Sequence, residues 1–84
     1  MVKLLFFASL RERLGCDCLE LPFDSHWQSA ADVLNAAQQV LPELQDALSS
    51  KAKYLLAINQ DLVKLDAVVH DGDELALLPP VTGG

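Results

Sequence analysis

Val2-Lys3-Leu4-Leu5-Phe6-Phe7-Ala8 is β-branched, aromatic or aliphatic at nearly every position and too short for a core helix. Alternation along a strand puts Leu4 and Phe6 on one side and Leu5 and Phe7 on the other. Both faces are therefore apolar, which places this strand inside a sheet, with neighbours on both edges.

Downstream, Ser9-Leu10-Arg11-Glu12 has the spacing of a capping box, and Gly15 closes a short helical turn. A second strand runs around Cys18-Leu19-Glu20-Leu21 and is stopped by Pro22. Ser29-x-x-Asp32 opens the main helix, in which Ala30, Val33, Leu34, Ala37 and Leu41 form one apolar stripe. Trp27, just before the cap, reads as a packing residue. Pro42 ends the helix or begins a short helical piece over Pro42–Leu48. Tyr54–Ile58 reads as a third strand, Asn59-Gln60-Asp61 as a turn, and Leu62-Val63 as the start of a fourth strand running towards Val69. Asp71-Gly72 signals a tight turn before a last strand, Glu74–Leu78, which Pro79-Pro80 terminates.

The order is strand, strand, helix, strand, strand, strand. The first two strands can pair antiparallel, and the long helical connection brings a later strand back beside the first by a right-handed crossover. The expected fold is α+β, a ubiquitin-like β-grasp: a mixed sheet of four to five strands with one main helix on one face. Residues 1–78 form this domain, and residues 79–84 form an extended, flexible diglycine tail. With Leu75 and Leu77 facing the helix, Glu74, Ala76 and Leu78 face away. Phe7 and Leu78, with Leu62 beside them, are candidates for an apolar patch open to a partner, unless the short helical piece covers them.

Composition bounds the function. The 84-residue chain is 51% hydrophobic and 21% charged, which fits one small globular domain with a modest core. Six basic against twelve acidic residues give a net charge of −6, which argues against nucleic-acid binding, since phosphate contacts need clustered Lys and Arg. The stretch Met1–Leu10 superficially resembles a signal peptide, but Arg11-Glu12-Arg13 follows directly and no small-residue cleavage pattern is present. No apolar run approaches the roughly 20 residues of a membrane span. A cytoplasmic location and no membrane association are expected. Cys16 and Cys18 are too few for a metal site, and a disulfide across one extended residue would be strained, so ordinary reduced thiols and no metal are expected. His26 and His70 are isolated and read as surface turn residues.

The last residues are Pro79-Pro80-Val81-Thr82-Gly83-Gly84. The prolines stiffen the exit from the last strand, and two residues without Cβ can thread a channel too narrow for any side chain. A free carboxylate is a poor electrophile. Activated as an acyl-adenylate, it would accept a sulfur nucleophile and become a thiocarboxylate. On the residues alone, that reading stands beside a frayed terminus without a role.

Phe6-Phe7-Ala8-Ser9-Leu10-Arg11-Glu12-Arg13-Leu14-Gly15, Ala57-Ile58-Asn59-Gln60, Asp71-Gly72-Asp73-Glu74-Leu75 and the terminal hexapeptide together resemble the small subunits of molybdopterin synthases. Leu75 stands where many members have Val, and Leu78 where an aromatic is frequent. Residues 16–53 carry little of the signature. The resemblance implies that Gly84, presented by Gly83, is adenylated with ATP by a ubiquitin-activating-like enzyme. A separate sulfur donor protein then supplies the thiocarboxylate sulfur. It implies that Phe7, Leu62 and Leu78 dock the large subunit in a heterotetramer, and that Pro79, Pro80, Val81, Thr82, Gly83 and Gly84 enter its pocket. There sulfur passes to cyclic pyranopterin monophosphate for molybdenum cofactor biosynthesis. No cofactor is permanently bound, and the catalytic lysines belong to the partner, so the chain is not an enzyme on its own. The rivals are a sulfur carrier for thiazole synthesis, a ubiquitin-type protein modifier, and a plain binding module.

Overall fold

The computed structural model describes residues 1–49 and 54–78. The tail expected over 79–84, including the proposed site residues from Pro79 to Gly84, lies outside the described residues.

The first strand, β1 (Val2–Phe6), carries the apolar sequence that needs partners on both edges, and it has them. It pairs antiparallel with β2 (Cys18–Leu21) and parallel with the last strand, β5 (Glu74–Leu78). Between these lie β3 (Leu55–Ile58) and β4 (Asp61–Val63), and β3 bridges β4 and β5 by antiparallel ladders. The five-stranded sheet has the order β2-β1-β5-β3-β4. Three helices accompany it: α1 (Ala8–Leu14), α2 (Ala30–Val40) and α3 (Pro42–Leu48). This is the expected α+β β-grasp.

One core lies between the sheet and the helices. Leu4, Phe6, Leu75 and Leu77 are buried, together with Leu56 and Ile58 of β3 and the stripe Ala30, Val33, Leu34 and Ala37 of α2. Leu41 caps α2 and packs at the core margin. Burial of whole Leu and Phe side chains, at about 1.5–3 kcal/mol each, dominates stabilisation in a domain this small. Trp27 packs against the same cluster and meets Phe23 edge-on, with ring centroids 5.8 Å apart. The short helix α3 starts with Pro42 at its first turn and buries Leu44 and Ala47. It packs against α1 and α2, on the core side, and among the described residues no helix covers the opposite face of the sheet.

Two expectations need correction. The first strand ends at Phe6, and the helix after it starts at Ala8 with Phe7 as its N-cap, so Ser9 forms no capping box. Ala8 adopts φ +53°, a left-handed conformation that turns the chain at once out of the sheet. The N–H groups of Leu10 and Arg11 bond the Phe7 carbonyl at 3.2 and 3.4 Å, and Leu10 is driven fully into the core. Gly15 closes α1 at φ +74°, its N–H on the Arg11 carbonyl at 3.0 Å, as the glycine signal predicts.

The second correction concerns the fourth strand, which ends at Val63 and does not run to Val69. The following loop has other work. Its Ala67 and Leu65 carbonyls accept the Ala30 and Ala31 N–H groups at 2.9 and 3.0 Å, satisfying the start of α2. Meanwhile the Asp32 carboxylate accepts the N–H groups of Gln28 and Ser29 at 2.8 and 3.2 Å, completing the capping box foreseen at Ser29. The β3–β4 turn is two residues long, with Asn59 and Gln60 both at positive φ, 50° and 74°, as a type I′ turn requires. Asn59 ties this turn to β5. Its Nδ2 donates to Asp73 at 3.0 Å, and its Oδ1 accepts from the Glu74 N–H at 3.1 Å.

The left-handed Ala8 gives a direct test. Ala8→Gly is expected to leave stability unchanged or raise it by up to about 1 kcal/mol, whereas Ala8→Val should lower it by about 1–2 kcal/mol. Urea unfolding midpoints at unchanged slope would measure both. Loss of stability in the glycine variant would contradict the strain.

Candidate functional site

The ladders align the side chains of the uncovered face into rows, because directly opposed residues project to the same side. Leu5 stands opposite both Cys18 and Ala76, Ala76 opposite Ala57, and Ala57 opposite Leu62. One uncharged row thus crosses all five strands. The next row, towards the C-terminal end of β5, contains Leu78 opposite Leu55, with Phe7 one residue beyond the Phe6–Leu77 pair. In the other direction the face turns polar at once, where Lys3 stands opposite Glu20 and Glu74.

Of the residues expected from the sequence, Phe7 and Leu62 keep 39% and 66% of their surface exposed, and Leu78 is half-buried. Phe7 and Leu62 stand three strand spacings apart, about 14 Å, so they bracket the face without touching. The ladders add Leu5, Leu55, Ala57 and Ala76. Ala57 is buried beneath its larger neighbours, so two alanines floor a patch rimmed by Leu and Phe. The alternation of Leu55 and Ala57 against Leu56 and Ile58 signals this face in the sequence, but only the register shows which of them stand beside Leu62.

β5 runs parallel to β1, so Leu78 leaves the sheet at the end where Phe7 and Cys18 also lie. The chain beyond it starts from the apolar half of the face. Phe7 and Cys18 also border a recess of about 190 Å³, lined by Lys3, Leu5, Arg11 and Asp17.

Cys16 and Cys18 are free and half-buried. Burial pushes the Cys16 thiol up from its ordinary range, and the negative charges of Cys18, Asp17 and Glu43 add to this. A raised thiol pKa keeps the neutral, unreactive form. His26 bonds Asp24 through its N–H at 2.8 Å and its ring Nδ1 at 3.0 Å, which holds the exposed Asp24 carboxyl below its usual range. The His70 N–H donates to Asp73 at 2.8 Å. Both histidines sit in exposed turns, in line with the sequence reading. Among the described residues no group of three or more His, Cys, Asp or Glu side chains is arranged to hold a metal ion, and no helix is long and apolar enough to cross a membrane.

The ThiS family matches residues 4–84 of the chain. The molybdopterin synthase sulfur carrier subunits of Escherichia coli and Haemophilus influenzae are 45% and 43% identical to it over 84 residues, covering the whole of each chain. Among solved structures, SAMP1 of Haloferax volcanii superposes with a TM-score of 0.85 at 27% identity, over 99% of this chain and 98% of that one. In a complex of subunits 1 and 2 of the molybdopterin-converting factor from Helicobacter pylori, one chain superposes with a TM-score of 0.64 at 26% identity, over 99% of this chain and 97% of that one.

The Cys16 environment predicts slow alkylation. At pH 8, iodoacetamide should modify Cys16 more slowly in the folded protein than in urea, as followed by peptide mass mapping. Equal rates would show that burial does not suppress its thiolate.

Proposed function

This chain belongs to the ThiS family, and on that premise we propose that it is the sulfur-carrier subunit of a molybdopterin synthase. The observation that carries the reading is the end-to-end identity with two bacterial sulfur carrier subunits, together with a family match that runs through Gly84.

In this reading the reacting group is the Gly84 carboxylate. A ubiquitin-activating-like enzyme joins it to AMP with release of pyrophosphate from ATP, which turns a resonance-stabilised anion into an acyl group with a good leaving group. A cysteine persulfide of the sulfur donor protein then attacks the acyl carbon and AMP departs, leaving an acyl disulfide. A thiol cleaves its S–S bond, becoming disulfide-bonded to the donor cysteine, and releases the thiocarboxylate. Its sulfur is ionised at neutral pH, and glycine presents no Cβ to hinder its approach to an electrophilic pterin carbon. The residues from Pro79 to Gly83 carry that sulfur into the large subunit. Cyclic pyranopterin monophosphate receives two sulfurs from two carriers. Each thiocarboxylate displaces an oxygen substituent on a pterin side-chain carbon to form a thioester. Water then cleaves the acyl–sulfur bond, leaving the sulfur on the pterin and returning the carrier as a carboxylate.

The carrier contributes position and the partner contributes acid–base groups. The apolar half of the open face, centred on Leu5 and Ala76 and bracketed by Phe7, Leu62 and Leu78, docks the large subunit beside the origin of the tail. Burying such a patch is favourable by about 25 cal/mol per Å² before association costs. A complex of the two subunits in a relative of the same fold supports this partner. The assembly is a cytoplasmic heterotetramer with one carrier at each end of a large-subunit dimer. A second reading, covalent attachment of Gly84 to lysines of other proteins, draws support from the similarity to SAMP1, a small archaeal modifier protein.

Incubation with the activating enzyme, ATP and the sulfur donor should replace one oxygen of the chain by sulfur, as read by intact-protein mass. Deleting Gly84 should abolish both this change and pterin sulfuration; retained sulfuration would sink the carrier reading. Covalent ladders recovered from native cells, without a bound large subunit, would favour the modifier instead. Phe7→Asp and Leu62→Asp should each weaken assembly with the large subunit by about 2–4 kcal/mol while the far-ultraviolet circular dichroism stays unchanged.

A further inference from the structure

The recess beside Phe7 is built differently from the face it adjoins. Its walls combine the apolar Leu5 and Phe7 with two cations, Lys3 from β1 and Arg11 from α1, and one carboxylate, Asp17. In a chain of net charge −6 its lining brings together two cations against one carboxylate. The ion pairs among the described residues join the N-terminus to Asp71, His26 to Asp24 and His70 to Asp73, so no described carboxylate lies within 4.0 Å of Lys3 or Arg11. Lys3 stands level with Glu20 and Glu74, which partly neutralise it through space. Arg11, on α1, pairs with no described carboxylate. Its planar fork of donors is exposed at the margin of the apolar rows.

We propose that this recess receives an aspartate or glutamate side chain of the large subunit, with Arg11 as its principal anchor and Lys3 beside it. This rests on the reading that the open face docks that subunit. The physical reason is orientation. An apolar patch floored by alanines attracts a partner but does not fix its rotation in the plane of the sheet, because hydrophobic contact is non-directional. A single charge pair at the margin fixes that rotation, and a guanidinium fork meets a carboxylate in a defined geometry. The orientation matters here because the tail leaves the sheet at the same end as the recess and must be aimed into a pocket. The volume, about 190 Å³, admits one carboxylate side chain. Asp17 lines the same recess without pairing with Arg11, so the partner's carboxylate binds near a like charge.

The test uses the full chain and the large subunit, titrated calorimetrically at low and at high salt. Arg11→Ala should weaken binding about tenfold at low salt, with the difference shrinking at high salt, and Arg11→Lys should recover part of the loss. Asp17→Asn should bind as tightly as the parent or tighter. If Arg11→Ala leaves both affinity and salt dependence unchanged while Leu62→Asp weakens binding, the recess carries no partner carboxylate and the docking face stands. If Leu62→Asp is also without effect, the docking reading itself fails. If Asp17→Asn weakens binding and lowers the melting temperature as Arg11→Ala does, Arg11 serves Asp17 within the chain and the proposal is overturned.

Discussion

A short strand that is apolar on both faces has to be paired on both edges and covered on both faces, and β1 imposes that demand on the whole domain. Its edges are met by β2 and β5. One face is met by the core, in which the α2 stripe of small and medium side chains is buried together with Leu4 and Phe6. Among the described residues no second layer meets the other face. Leu5 and Phe7 are therefore left against solvent, and the apolar rows that continue from them across β5, β3 and β4 follow from the pairing alone. Exposed apolar surface on this scale, rimmed by charge, fits association.

The parallel pairing of β1 with β5 sets where the chain leaves the sheet. It puts the last residue of the sheet, Leu78, at the same end as Phe7 and the recess of Arg11. Whatever follows Leu78 thus starts from the apolar half of the face and not from its charged half at Lys3, Glu20 and Glu74. In the sulfur-carrier reading the domain is a handle that docks at one place and delivers a reactive end next to it. Among the described side chains, burial keeps the Cys16 thiol in its neutral form and the histidines occupy exposed turns.

Several polar ties hold the fold where apolar packing is thin. Asn59 fastens the β3–β4 turn to the start of β5, and the loop after β4 lends two carbonyls to the first N–H groups of α2. That loop crosses from the edge of the sheet to the helix, which is why β4 is only three residues long. The left-handed Ala8 is the opposite case: a strained backbone retained because it turns Phe7 outward and Leu10 inward within a few residues.

Periodicity and caps are local, and so the sequence alone determined the strands around Val2–Phe6, Cys18–Leu21, Leu55–Ile58 and Glu74–Leu78. It determined α2 with its Ser29–Asp32 cap. The division of Leu4 and Phe6 from Leu5 and Phe7 also needs nothing beyond alternation. Tertiary structure decided the rest. Helix α1 begins at Ala8 because Leu10 must reach the core, a demand stronger than the capping preference of Ser9. Residues after Val63 leave the sheet because α2 needs acceptors for its first N–H groups. Leu55, Ala57 and Ala76 join Phe7, Leu62 and Leu78 on one face only through register. Register is a relation between residues distant along the chain, and no local pattern of side chains encodes which partner a given residue will stand opposite.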